Sequence, residues 1–406
     1  MRKVSHSISF ITSLLLSNAV FAGGFQLYEL GTPIMGTAAV GQAAVANDAS
    51  TSYFNPAGMT QLHDSEFMLG TVILLPDTHF SIGNSNTIHG DNGNQAGTLT
   101  PGVGSYFVYS FSPRLKFGIS LTSPYGGDLS YTDGWVGRYQ VQQTQFYALD
   151  LNPVAAYQIN DWLSLGIGAT LEYANLSETL ALPLVLEPLI DGQATIKVHN
   201  YAPGYNVGVM FTPTKCTNIG IAYRSRVIHH LSGDTTFLRI ADMPGTTTKL
   251  IMPQNVILSL SQLISNKFNL LAELGWSNWS SMKSSVVVID GYSVTTDLDW
   301  KNTYRAGLGL QYHATSQLLL QAGVSWDSSP TDAVRRTADL PVDRQVRAGL
   351  GVIYNALSAV DLGFSYEYIN FGSAPIDSTS TRIGTFQGSY GRNYANAFQM
   401  SINAIV

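Results

Sequence analysis

From residue 64 onward, apolar and small polar residues take turns position by position through most of the chain. A period of two is the side-chain period of an extended strand and excludes a helix as the main building unit. Between Trp162 and Tyr173, Leu163, Leu165, Ile167, Ala169, Leu171 and Tyr173 fall on one face. Ser164, Gly166, Gly168, Thr170 and Glu172 fall on the other. The same division recurs over 303–312, 360–368 and 397–406. Fourteen such segments begin near residues 65, 100, 114, 144, 162, 194, 217, 250, 268, 302, 318, 344, 359 and 394. The nearest later candidate for a membrane helix, Leu250 to Asn266, carries Pro253, Gln254, Asn255 and Gln262 and is too polar for a hydrocarbon-spanning helix.

The second face of each segment holds mostly Gly, Ser, Thr and Asn. A soluble β-sandwich would place charge there, yet only 12% of the 406 residues are charged, against roughly 25% in soluble domains. Lipid against the apolar face meets the shortage. In hydrocarbon only a closed sheet satisfies every strand hydrogen bond. The expected fold is therefore all-β: a transmembrane 14-stranded antiparallel β-barrel. Short connections (Ser112-Pro113, Asn160-Asp161, Ser265-Asn266, 355–358) alternate with long ones (84–98, 177–193, 372–393), as periplasmic turns and outer loops do. Tyr109, Phe111, Tyr157, Trp162, Phe211, Phe268, Tyr312 and Tyr354 sit beside the short turns, where a membrane-interface girdle belongs.

Residues 1–22 read as an export signal, with Arg2 and Lys3 before an apolar run and Val20 and Ala22 at the cleavage point. Residues 23–63 lack alternation and form either a plug in the lumen or a leader outside it, and 64–406 form the barrel. Lumen-side glycines at 118, 166, 168, 208, 307, 309, 323, 349 and 351 leave room for a plug. Net charge is -6, which offers nucleic acid nothing, and the lone Cys216 excludes an internal disulfide or a Cys-rich metal site.

Within 23–63, Gly24-Phe25-Gln26-Leu27, Glu29, Gly36, Gly41, Asn47-Asp48-Ala49 and the motif Asn55-Pro56-Ala57-Gly58 resemble the N-terminal hatch of the outer-membrane long-chain fatty acid transporter family, FadL. Gly323, Ser329-Pro330, Leu340-Pro341, Asp343, Arg344, Arg347, Gly349 and Gly351 are similar to that family's later strands. The terminal Val406 departs from the aromatic usual there. The resemblance implies a hatch inside the barrel, an outer hydrophobic groove, an interior ligand pocket and a lateral opening beside a kinked third strand. That strand contains Gly118, Pro124, Gly126 and Gly127, any of which could weaken a ladder.

Two outer links are unusually apolar. Leu180, Leu182, Leu184, Leu186 and Leu189 crowd one; Phe237, Leu238, Ile240 and Met243 crowd the next. They form either a groove for greasy molecules or a packed cover over the barrel mouth. Strand parity sends Lys116, Arg224, Arg226, Arg305 and Arg347 inward, each a partner for wall acids or for a cargo carboxylate, and places Arg347 and Glu367 at one height. Burying a dozen methylenes is worth up to ~10 kcal/mol, whereas a charge-assisted hydrogen bond adds roughly 1.5–3. Apolar contact would supply affinity and charge would orient the molecule.

An enzyme is not expected: there is no Gly-x-Ser-x-Gly elbow, and His229-His230 point to opposite faces of a strand, so no metal or cofactor is assigned. The function implied is passive uptake of long-chain fatty acids or similar hydrophobic compounds by a bacterial outer-membrane monomer, with release into outer-membrane lipid. Aromatic hydrocarbons as cargo, or an adhesin or phage receptor using the loops alone, are the competing readings.

Overall fold

The computed structural model describes residues 26–183, 191–238, 241–380 and 383–406. In chain order its strands are β1 (Glu66–Ile82), β2 (Thr100–Ser110), β3 (Leu115–Ser130), β4 (Gln143–Asn160), β5 (Leu163–Leu182), β6 (Gly192–Thr214), β7 (Thr217–Arg224), β8 (Val227–Phe237), β9 (Ala241–Met252) and β10 (Asn255–Leu263). They continue with β11 (Phe268–Ser277), β12 (Ser284–Ile289), β13 (Tyr292–Asp297), β14 (Thr303–His313), β15 (Leu318–Asp327), β16 (Gln345–Leu357), β17 (Val360–Asn370), β18 (Ile376–Ser380) and β19 (Gly384–Ile405). β7 and β8 both pair with β6 and form one wall strand broken at Ser225-Arg226; β9 and β10 form the next, broken at Pro253-Gln254. β12–β13 is an outer hairpin and β18 an outer extension, which leaves a closed wall of 14 antiparallel strands.

Closure is the pairing of β1 with β19, from Glu66↔Ile405 to Ile82↔Gly388, while its other edge pairs with β2. The sheet thus closes on itself at this seam, as hydrocarbon demands. Alternation translates directly into two surfaces. Along β4 and β5, Leu149, Leu151, Leu165, Ile167 and Leu171 face out, while Ala148, Asp150, Asn152, Thr170 and Glu172 are buried inside. The girdle aromatics pair across strands at the short turns: Trp162 with Phe211, Phe111 with Phe117, and Phe268 stacked on Tyr312.

The break at Ser225 corrects one parity assignment. Ser225 exchanges two hydrogen bonds with Tyr205, its N–H donating to the carbonyl and its hydroxyl accepting from the N–H, both 2.8 Å. Ser225 and Val227 are both buried, so the alternation slips by one residue and Arg226 is exposed on the outside of the wall.

Residues 28–62 lie inside the cylinder and are almost wholly buried. Lumen glycines make this approach possible. A Cβ on Gly220 would overlap the Ala43 carbonyl, one on Gly323 the Thr37 carbonyl, and one on Gly208 the Asn55 side chain. Asn55, fully buried, caps the 3-10 turn Pro56–Gln61 by accepting from the Ala57 N–H, and its amide donates to the Ala43 and Val209 carbonyls at 2.7 and 3.1 Å. One side chain therefore closes the Asn55-Pro56-Ala57-Gly58 turn and pins it to β6. Gly220→Val is expected to unseat this segment at a cost of about 1–3 kcal/mol, seen as protease cleavage between residues 28 and 62, whereas Ile221→Val on the outer face leaves cleavage at the native level.

Candidate functional site

The third strand parts from the second at a definite point. The β2–β3 ladder runs from Ser110↔Lys116 to Ser105↔Leu121 and stops there, and the pairing of β3 with β4 slips between Thr122 and Tyr125. Pro124, which has no N–H to give a ladder, sits in the slip. Its carbonyl accepts instead from the Leu27 N–H at 2.9 Å, beside an isolated antiparallel bridge between Gln26 and Tyr125. Gly118 lies within the regular ladder, so of the candidates for the kink Pro124 marks the irregularity.

Gln26 and Leu27 line two interior cavities. One is bounded by Tyr53, Tyr125, Asn206 and Arg224. The other is more apolar, with Leu74, Leu129, Leu340, Val342, Ile369 and Phe371 in its walls and Arg347 and Glu29 at its side. Gly126 and Gly127 of the displaced β3 edge also line this second cavity.

The five candidate cations are not brought together. Arg305 and Arg347 form one buried network with the inner segment. Arg305 Nε lies 3.0 Å from Glu273, its Nη1 2.8 Å from Asp327, and its Nη2 donates to the Ala38 carbonyl at 2.6 Å. Arg347 Nη1 lies 2.8 Å from the same Asp327, its Nε 3.2 Å from Glu29 and 3.5 Å from Glu367, and its Nη2 donates to Gln345 at 2.6 Å. The Tyr28 ring is stacked beneath both guanidiniums, 4.1 and 4.9 Å from its centroid. Glu273 further accepts from the N–H groups of Gly41 and Gln42 and from Ser259. Ala38 and Ala39 are held at φ 54° and 56°, in the left-handed region, with the Ala38 carbonyl also receiving the Ser325 hydroxyl at 3.2 Å.

Arg224 stands apart, 2.9 Å from Asp150 and donating to the Tyr53 carbonyl at 3.0 Å. Lys116 is buried near the periplasmic end, where it donates to Ser110 and to the His63 carbonyl, and it lines neither cavity. His229 is buried 2.9 Å from Glu172, while His230 is exposed.

The apolar outer residues do come together, but covered. Leu180, Leu182, Phe237 and Met243 are buried in one core with Val287, Ile289 and Val294 of the outer hairpin and Leu340 and Val342. Leu238 is 54% exposed. Leu184, Leu186, Leu189 and Ile240 lie outside the described residues.

Sequence patterning did not single out Arg336, Tyr28 or Asp327. Arg336 is buried and folds the loop 328–344 over the second cavity, donating to the carbonyls of Val342 and Pro375 and pairing with Asp343 at 3.1 Å. In this loop burial pushes the Asp339 carboxyl up to about 7, against opposing hydrogen bonds from Thr337 and the Leu340 N–H. Glu178, whose two carboxylate oxygens have no partner among the described residues, is close enough to repel it.

A lumen-filled wall with a greasy exterior and a side break next to two cavities defines an outer-membrane transport barrel. The model of the outer membrane protein transport protein family (OMPP1/FadL/TodX) matches residues 13–405, and the chain belongs to that family. It is an outer-membrane transporter. It is 24% identical over 394 residues to a long-chain fatty acid transport protein of Escherichia coli, covering 87% of this chain and 88% of that one. Its fold is similar to that of a Pseudomonas aeruginosa FadL homologue (TM-score 0.87, 20% identity, 95% of this chain and 100% of the other). It is also similar to the Ralstonia pickettii toluene transporter TbuX (TM-score 0.69, 17% identity, 93% and 100%).

Two measurements probe the site. Arg347→Ala leaves Glu29, Asp327 and Glu367 facing one another, at a cost of about 3–5 kcal/mol, read as a lower temperature for loss of the compact, heat-modifiable band on electrophoresis. The Asp339 carboxyl titrates near ~3.9 when undocked, so docking of its loop is favoured at lower pH and weakens as pH rises through about 7. Proteolysis of 328–344 is expected to quicken over that range, and Asp339→Asn to reduce the dependence.

Proposed function

We propose that this barrel carries hydrophobic small molecules, long-chain fatty acids or aromatic hydrocarbons among them, inward across the outer membrane without energy input. Cargo enters from the outer face into the cavity under Leu340 and Val342. It then leaves sideways between β2 and β3 into outer-membrane lipid. Residues 1–22 serve as the export signal and 23–63 as the hatch, with 64–406 as a barrel that works as a monomer and not as an enzyme. The cargo named for the Escherichia coli and Ralstonia pickettii proteins bounds the chemical range.

The observation that carries this reading is the Leu27 N–H bound to the Pro124 carbonyl. It places the leading segment between two cavities, at the one place where β3 has let go of β2. A closed barrel offers lipid-soluble cargo no side exit, because every strand edge is paired. Here the edge of β3 is paired with a removable segment.

The test is a Gln26→Cys/Tyr125→Cys pair in a Cys216→Ser background, expressed in cells lacking their own uptake barrel. Oxidation should abolish entry of radiolabelled oleate and toluene, and a reductant should restore it. Uptake equal in the oxidised and reduced protein would rule out this route.

A further inference from the structure

We infer that the second cavity selects uncharged cargo, a hydrocarbon or a neutral ester, over an anionic fatty carboxylate. The inference deepens the transport reading and rests on it. Its ground is the charge already committed around that cavity. Among the described residues lining it, Arg347 is the single basic side chain, and Glu29 and Asp128 are acidic.

All three nitrogens of Arg347 are engaged: Nε with Glu29, Nη1 with Asp327, Nη2 with Gln345. Its ring-facing side is taken by Tyr28. The acids of the connected network, Glu29, Glu273, Asp327 and Glu367, outnumber its bases, Arg305 and Arg347. A carboxylate arriving here would add another anion to a site already rich in them, and to reach a cation it would have to displace Glu29. Glu29 is tethered in place, so it competes at high effective concentration. Burying an anion without a partner costs several kcal/mol, more than one hydrogen bond returns.

The other cavity does not rescue a carboxylate. Its cation, Arg224, is 2.9 Å from Asp150 and lies with its guanidinium carbon 4.0 Å from the Tyr53 ring centroid. Gln26 and Leu27 stand between the two spaces. What remains for the head of a cargo molecule is neutral: Gln26 lines the second cavity beside its apolar walls, while Thr78, Thr100 and the Asn393 amide already donate to Asn393, Thr98, Pro341 and Gly372. Gln26 suits an ester carbonyl and the walls suit a hydrocarbon or an aromatic ring, and neither leaves a charge unmatched.

The experiment compares radiolabelled laurate and methyl laurate, which share one alkyl tail and differ in head charge. Uptake is measured in cells with and without the full-length protein, at a pH where laurate is ionised. Protein-dependent uptake of the ester should exceed that of the acid about tenfold, the equivalent of ~1.4 kcal/mol. In Glu29→Gln, shown to be folded by its heat-modifiable band, acid uptake should rise and the gap narrow. Laurate entering as fast as the ester, or a gap that persists in folded Glu29→Gln, overturns the selectivity. If the protein moves neither compound, the transport reading itself falls, a result distinct from either.

Discussion

A peptide group in hydrocarbon has no water to turn to, and the architecture follows from that shortage. Fourteen strands close on themselves through β1 and β19. Closure satisfies the wall but creates a polar lumen wide enough to need filling. The chain fills it with its own leading segment, and glycines on the inner face let backbone meet backbone. Where β3 leaves β2, the wall is repaired from inside by the residues that precede Tyr28. Wall, filling and side break are thus successive answers to one rule.

The ionic network holds the filling in register. Glu29 and Arg347 are 318 residues apart in sequence, yet they meet at 3.2 Å. Asp327 bridges Arg347 to Arg305, and Arg305 reaches the Ala38 carbonyl. Buried ion pairs of this kind contribute little net stability over apolar packing but impose strong penalties on a misplaced partner. The network therefore fixes where the segment sits more than how tightly it is held.

Much of this was legible in the sequence because alternation is a local signal. The strand count, the outward leucines, the girdle aromatics and the shared height of Arg347 and Glu367 all follow from counting by two. What escaped depends on single-residue irregularities or distant neighbours. Parity alone sends Arg226 inward because it does not reveal the slip at Ser225. The kink was one of several Gly and Pro candidates until the Leu27–Pro124 bond singled out one. Leu180 and Phe237 read as a groove or a cover, and the hairpin that buries them begins at Ser284, outside any local window. Arg336 carries no pattern of its own: its partners are mostly carbonyl oxygens, which any sequence supplies.

Two consecutive alanines at positive φ would ordinarily be avoided, since each sits roughly 1–2 kcal/mol above its relaxed backbone. Here Arg305 and Ser325 clamp the carbonyl between them. The seated segment is accordingly a cocked one: backbone energy is stored on the docked side of the balance and is given back when Arg305 lets go. Detachment of the inner chain then has a downhill component built into its own main chain.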